Sequence, residues 1–228
     1  MKSHFLKKIV SLVLCLAIFI CALTSNVFAA TYEIDDWYVN DTSSRRFYLW
    51  NVIPSSVYVH KCSGMSDYFV PGVSNGVTVW RSELGIGMGS ITTTIDDKIY
   101  NGIKVFGGNE AQLISLGIWN ESIINDPDVF GYTLPTAILD QNNAYVIPYP
   151  SAPLYINVYI TQSMNIFIKK MAKNDLAKYY HLGTHELGHA LGWCGHTYDT
   201  ESVMYYTGPT NLYTLSDIDV NHVKQFYD

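Results

Sequence analysis

Two helical periods stand out in the distribution of apolar positions. From Ser74 to Leu84, apolar side chains recur three or four residues apart at Val77, Trp80 and Leu84. Ser74 can cap that segment, and the glycines at 85, 87 and 89 would end it. The second period runs from Leu176 to Leu191 through Tyr179, Tyr180, Leu187 and Ala190, with Asn174 or Asp175 as the cap and Gly192 as the stop. A last helix is expected after Ser216, turning Ile218, Val223 and Phe226 toward the core. Aromatic and β-branched clusters read as strands elsewhere. Phe47 to His60, broken at Pro54, Ser55 and Ser56, predicts two strands or a hairpin. Ile91 to Ile95 and Ile99 to Phe106 flank a turn at Asp96 and Asp97, and Tyr145 to Ile147 and Leu154 to Thr161 follow a turn at Gln141 to Asn143. The expected fold class is α+β, a mixed twisted sheet layered with three helices.

The first residues follow a different pattern. Lys2, Lys7 and Lys8 precede an apolar run from Ile9 to Leu23 that is too short to span a bilayer, and Val27, Phe28, Ala29 is a small-residue cleavage pattern. A signal peptide over residues 1–29 is therefore expected, with secretion of a single domain over 30–228 and no stable membrane insertion afterwards. Losing the leader removes three lysines and no acid, taking the formal net charge from −6 to −9. Such an acidic chain does not suit nucleic acid as a partner. Two cysteines remain, Cys62 and Cys194, and an oxidising compartment permits their pairing without requiring it.

The chemistry concentrates between His185 and His196. On a helix, residues four apart share a face, so His185 and His189 can aim their imidazoles at one point. Neutral imidazole is a good ligand for Zn2+, and Glu186 is placed to act as general base toward a water on the metal. Gly192 lets the chain leave the helix abruptly and deliver His196 as a third ligand, with the fourth side of a tetrahedron left for water.

His185, Glu186, His189 and Gly192, followed by Met204 within Ser202 to Tyr205, resemble the signature of the metzincin clan of zinc peptidases, HExxHxxGxxH and a Met-containing turn, and are most similar to that of the matrixins. Leu215 to Tyr227 is similar to the last helix of matrixin catalytic domains, and Trp80 falls where their first helix would lie. The resemblance implies a zincin-like catalytic domain and a zinc endopeptidase acting on protein or peptide. In one respect the chain departs from the pattern. Trp193, Cys194 and Gly195 separate Gly192 from His196, where the clan has two residues, so the position aligned with the usual His is Gly195. A bulge at Gly195 can absorb the extra residue, which keeps His196 as the expected ligand, with Cys194, Asp199 and Glu201 as alternatives.

Further residues qualify this picture. Tyr206, two residues after Met204, is similar in place to a metzincin Tyr that assists the oxyanion, and it is carried as a second catalytic candidate. His181 is expected to be buried beside the ligands, and His60 and His222 to be structural or solvated. Asp96 with Asp97, and Asp126 with Asp128, could take Ca2+ but lack the ordered oxygen spacing of a dedicated site, so turn or surface roles are expected. Lys61 to Gly64 has only a loose likeness to a latency cysteine segment, and no separate prodomain is expected. The chain is read as a monomer. Rival readings are a zinc amidase acting on cell-wall peptides and a non-catalytic secreted zinc-containing binding protein.

Overall fold

A fifteen-residue strand, β8 (Tyr155–Lys169), organises the sheet. The computed structural model describes residues 37–38, 46–93, 102–116, 129–138, 145–148, 155–193, 195–206, 208, 210–224 and 226–227, all within the compact unit Ile34–Asp228. The expected leader over residues 1–29, both aspartate pairs, the Gln141–Asn143 turn and Cys194 lie outside the described residues.

The strands are β1 (Trp37–Tyr38), β2 (Arg46–Trp50), β3 (Ser56–Lys61), β4 (Ser90–Thr92), β5 (Gly102–Gly108), β6 (Gly131–Ile138), β7 (Tyr145–Pro148), β8 and β9 (His196–Thr197). The helices are α1 (Phe69–Leu84), α2 (Glu110–Ser115), α3 (Leu176–Ala190) and α4 (Asp217–Lys224). Five strands run parallel in the order β2-β8-β5-β3-β4. Strands β6 and β7 pair antiparallel with β8. Thr161 pairs with both Trp50 and Ile138, so β2 and β6 lie on opposite edges of β8. The second half of β8 therefore runs between β5 and β6, and Met164, Ile166, Phe167 and Ile168 are buried there on both faces.

This layered αβ arrangement agrees with the expected mixed sheet, and several local expectations are corrected. The segment from Phe47 to His60 forms two strands and no hairpin, because β8 and β5 come between β2 and β3. Likewise β4 and β5 do not pair with each other but flank β3. Helix α1 starts at Phe69, before the expected Ser74, and Pro71 is tolerated because the first-turn N–H it lacks has no acceptor within the helix. Strand β8 continues eight residues past its expected end at Thr161. Two elements were not anticipated. Helix α2 carries a reciprocal capping box between Asn109 and Gln112. Strand β6 contains Pro135, which argues against a central strand, but β6 is an edge with a register shift just after that proline.

Helices α1 and α3 pack backbone to backbone. A Cβ on Gly76 would lie 2.6 Å from the Gly183 carbonyl oxygen, and one on Gly183 would lie 2.4 Å from that of Gly72. Trp80, fully buried, donates its indole N–H to Thr184 O at 2.7 Å and holds α3 in register. Gly76→Ala is accordingly expected to destabilise the protein by about 1–3 kcal/mol through overpacking, despite an intrinsic helix preference for Ala of up to about 1 kcal/mol. Urea unfolding at saturating zinc measures this, and an unchanged or raised midpoint would show that the helices can separate at little cost.

Candidate metal centre

Helix α3 carries the first two histidines. Asp175 caps it by accepting from Ala177 N at 3.0 Å. At the other end the chain leaves through Gly192, whose φ of 113° is open to glycine and strained for other residues, and Trp193 N returns to Gly188 O at 3.0 Å. Carbonyls exposed by the helix end find side-chain donors: Trp50 Nε1 reaches Ala190 O at 2.7 Å, and the Tyr227 hydroxyl reaches Leu191 O at 2.9 Å. Gly195, with φ 80°, absorbs the extra residue of the loop. The chain then enters β9, where His196 pairs with Tyr38 of β1.

The three imidazoles converge. Nε2 of His185 lies 3.2 Å from Nε2 of His196 and 3.2 Å from Nε2 of His189. His185 Nδ1 donates to Val203 O at 2.8 Å and His189 Nδ1 to Trp193 O at 2.8 Å, since a carbonyl can only accept. With the proton committed to Nδ1, each of these two neutral rings turns its Nε2 lone pair inward. Lone pairs 3.2 Å apart repel unless a cation lies between them. Tetrahedral zinc with bonds of about 2.0–2.1 Å would set such nitrogens about 3.3 Å apart, so the donor set fits Zn2+. Among the described residues these three histidines form the one group able to hold a metal.

Glu186 sits beside them, 4 % exposed. Burial raises its carboxyl to about 8, opposed by the hydroxyl of Thr133, which donates to Oε2 at 2.7 Å. Fully buried Met204 lies under α3: a Cβ on Gly188, between His185 and His189, would be 2.6 Å from its sulfur. The turn carrying Met204 is tied to α4 by buried Asp219, which accepts from Ser202 Oγ, from Val203 N at 3.1 Å and from Ser216 N at 2.9 Å.

The other candidates fall into place around this centre. His181 is buried and directs Nδ1 to Leu212 O at 2.6 Å, outside the metal group. His222 is buried against Trp193, their ring centroids 3.8 Å apart, while His60 is exposed on β3. The Asp199 carboxylate accepts from Glu201 N at 2.9 Å, Glu201 is exposed, and neither joins the metal group. Tyr206, half exposed, packs its ring on Tyr198 and Tyr205. Cys62 is half-buried and has no disulfide to a described residue. Thr133 and Asp219 were missed as site residues. The Ser216-to-Asp219 spacing of a capping box was the available signal for the second.

Burial also sets the acid response of the metal-free protein. It holds His189 and His196 down to about 3, with a neighbouring imidazole adding to the effect in each case. Burial likewise keeps His185 and His222 well below the ordinary 6.5. An unfolded chain takes up protons at these sites as pH falls through 6.5, and the folded chain does not. Folded stability is therefore lost from pH 6.5 toward 3, by about 1.4 kcal/mol per pH unit for each such imidazole. Glu186 acts in the opposite sense: its raised carboxyl keeps a proton that the unfolded chain releases above 4.5, so its contribution falls as pH rises toward 8. Chelator-treated protein should be most stable near pH 6.5. A urea midpoint that stays level from pH 6.5 to 4 would contradict this account.

No curated protein sequence matches this chain at a significant level. Residues 130–228, which contain β6, α3, the three histidines, the Met204 turn and α4, match the matrixin family, and this match, the three converging histidines and the mixed α/β fold together support a zincin-like domain of the zinc metallopeptidase kind.

Proposed function

We propose that the protein is a secreted zinc-dependent endopeptidase that hydrolyses peptide bonds in proteins or peptides, with His185, His189 and His196 as the metal ligands and Glu186 as the general base. The observation that carries this reading is the convergence of three Nε2 atoms beside a buried glutamate one residue past the first ligand. A purely structural site has no need of that carboxylate. When bound, zinc would supply a Lewis acid that polarises the scissile carbonyl and lowers the pKa of water.

The side chains would divide the remaining work. Val203 O and Trp193 O hold the His185 and His189 tautomers that leave Nε2 free to bind metal. Glu186 takes the proton of the attacking water and passes it to the departing amine. Tyr206 is the candidate donor to the developing oxyanion. Secretion rests on the pattern of Lys2 to Ala29, and a chain recovered from culture medium should begin at Ala30. No described helix is long and apolar enough to cross a membrane.

The test is cleavage of casein and of a quenched-fluorescent peptide by zinc-loaded protein, before and after chelation. Zinc-restorable hydrolysis within the peptide chain is expected. A zinc-loaded protein that leaves both substrates intact but cleaves cell-wall peptides would move the reading to the amidase alternative. If it cleaves none of them, the binding-protein alternative stands.

A further inference from the structure

We infer that edge strand β6 seats the general base: Thr133, with Gly131 beside it, holds the Glu186 carboxylate in the orientation the reaction uses. This assignment rests on the peptidase reading and adds a positioning residue to it. Residues two apart on a strand share a face, so Gly131 and Thr133 look the same way from β6. The structure turns that face onto Glu186. A Cβ on Gly131 would lie 2.1 Å from Oε1, so the carboxylate rests directly on the backbone there, and any side chain at that position would displace it. On the other side, Thr133 Oγ1 is 2.7 Å from Oε2 and 3.1 Å from the main-chain oxygen of Glu186.

Among the described residues, Thr133 is the side chain that hydrogen-bonds this carboxylate, and neither ion pair found there includes Glu186. A glutamate side chain has three rotatable torsions, and fixing them costs entropy that a specific contact must offset. Glu186 is buried and Thr133 half-buried, and a hydroxyl-to-carboxylate bond in such a place is strong and directional. Strand β6 is itself anchored by its pairing with β8 from Gly131 to Ile138, so the seat is attached to the sheet while the base is attached to α3. The orientation of the base is thereby set by the relative placement of sheet and helix.

Thr133→Val keeps the shape of the side chain and removes the hydroxyl, whereas Thr133→Ser keeps the hydroxyl. Steady-state kinetics of the zinc-loaded proteins on one fluorogenic peptide, with metal content and thermal midpoint recorded for each, provide the test. Thr133→Val should lower kcat by about 10-fold with KM and metal content little changed, and Thr133→Ser should stay near wild type. The inference is overturned if Thr133→Val keeps wild-type kcat, if Thr133→Ser is as impaired as Thr133→Val, or if the loss lies in KM alone. Should Thr133→Val not fold, the ratio of Thr133→Ser to Thr133→Ala isolates the same hydroxyl. If Thr133→Ala also fails to fold, the hydroxyl serves folding and the assignment to catalysis falls. A zinc-loaded wild type inert toward the peptide would instead reject the peptidase reading, whereas an active wild type alongside a fully active Thr133→Val rejects the role of Thr133 alone.

Discussion

Glu186→Gln is expected to lower peptide hydrolysis by roughly 10²- to 10⁴-fold while leaving zinc bound, the range that a positioned general base contributes. Gln preserves the volume and the hydrogen bond that Oε2 accepts from Thr133, and it removes the capacity to take a proton. The imidazoles keep their tautomers because Val203 O and Trp193 O are untouched. Metal affinity should therefore change far less than kcat. In the metal-free site, burial pushes the Glu186 carboxyl up to about 8, against the smaller opposing effect of Thr133. A dication on the three histidines would favour the ionised form, the form a base requires. Turnover of a fluorogenic peptide and bound zinc per chain are the measurements. Hydrolysis within tenfold of wild type would remove Glu186 from the mechanism, and loss of zinc together with activity would make the residue a structural support of the ligands.

The active-site helix could be read from residues because its signals are local: a capping Asp175, an apolar period, an i to i+4 histidine pair and a glycine stop. Such signals need no knowledge of the rest of the fold. His196 was harder, because its position depends on two glycine conformations in a loop one residue longer than the family pattern. The φ values of Gly192 and Gly195 now supply the path by which that loop brings it to the other two rings.

Information carried by sheet neighbours was not legible. Strand β6 carries Pro135, which in sequence argues against a strand, and its edge position with a register shift removes that objection only once β8 is in place. Thr133 is hidden with that strand. Of the two strands or hairpin expected at Phe47 to His60, the two strands form and the hairpin does not, because adjacency in sequence does not dictate pairing when parallel strands from elsewhere intervene. Asp219 stands in the first turn of the last helix, where the sequence does not reveal Ser202 and Val203 as its partners, since those contacts arise only when that helix packs beside the Met204 turn.

Those partners make Asp219→Ala the largest stability loss expected. The carboxylate is fully buried and accepts from Ser202 Oγ, Val203 N, Ser216 N and Ser216 Oγ. Truncation leaves Ser202 Oγ and Val203 N buried without an acceptor, at about 1–3 kcal/mol each, and removes two part-buried bonds from Ser216, so a total of about 3 kcal/mol or more is expected. A domain whose whole stability is on the order of 5–15 kcal/mol would be left marginal. The effect should also reach the metal. Ser202 Oγ accepts from Met204 N at 2.9 Å, and Val203 presents the carbonyl that receives His185 Nδ1. Loosening this turn releases the tautomer of His185, and zinc affinity should fall by about 10- to 100-fold. Asp219→Asn should recover little of either loss, because its NH2 group would face donors where Oδ2 now accepts from three. Urea unfolding in excess zinc and a competitive chelator titration separate the two effects. An Asp219→Ala protein with wild-type midpoint and zinc affinity would show that α4 and the Met204 turn hold their places without the carboxylate. A fall in stability alone would confine Asp219 to the fold and leave the setting of His185 to α3.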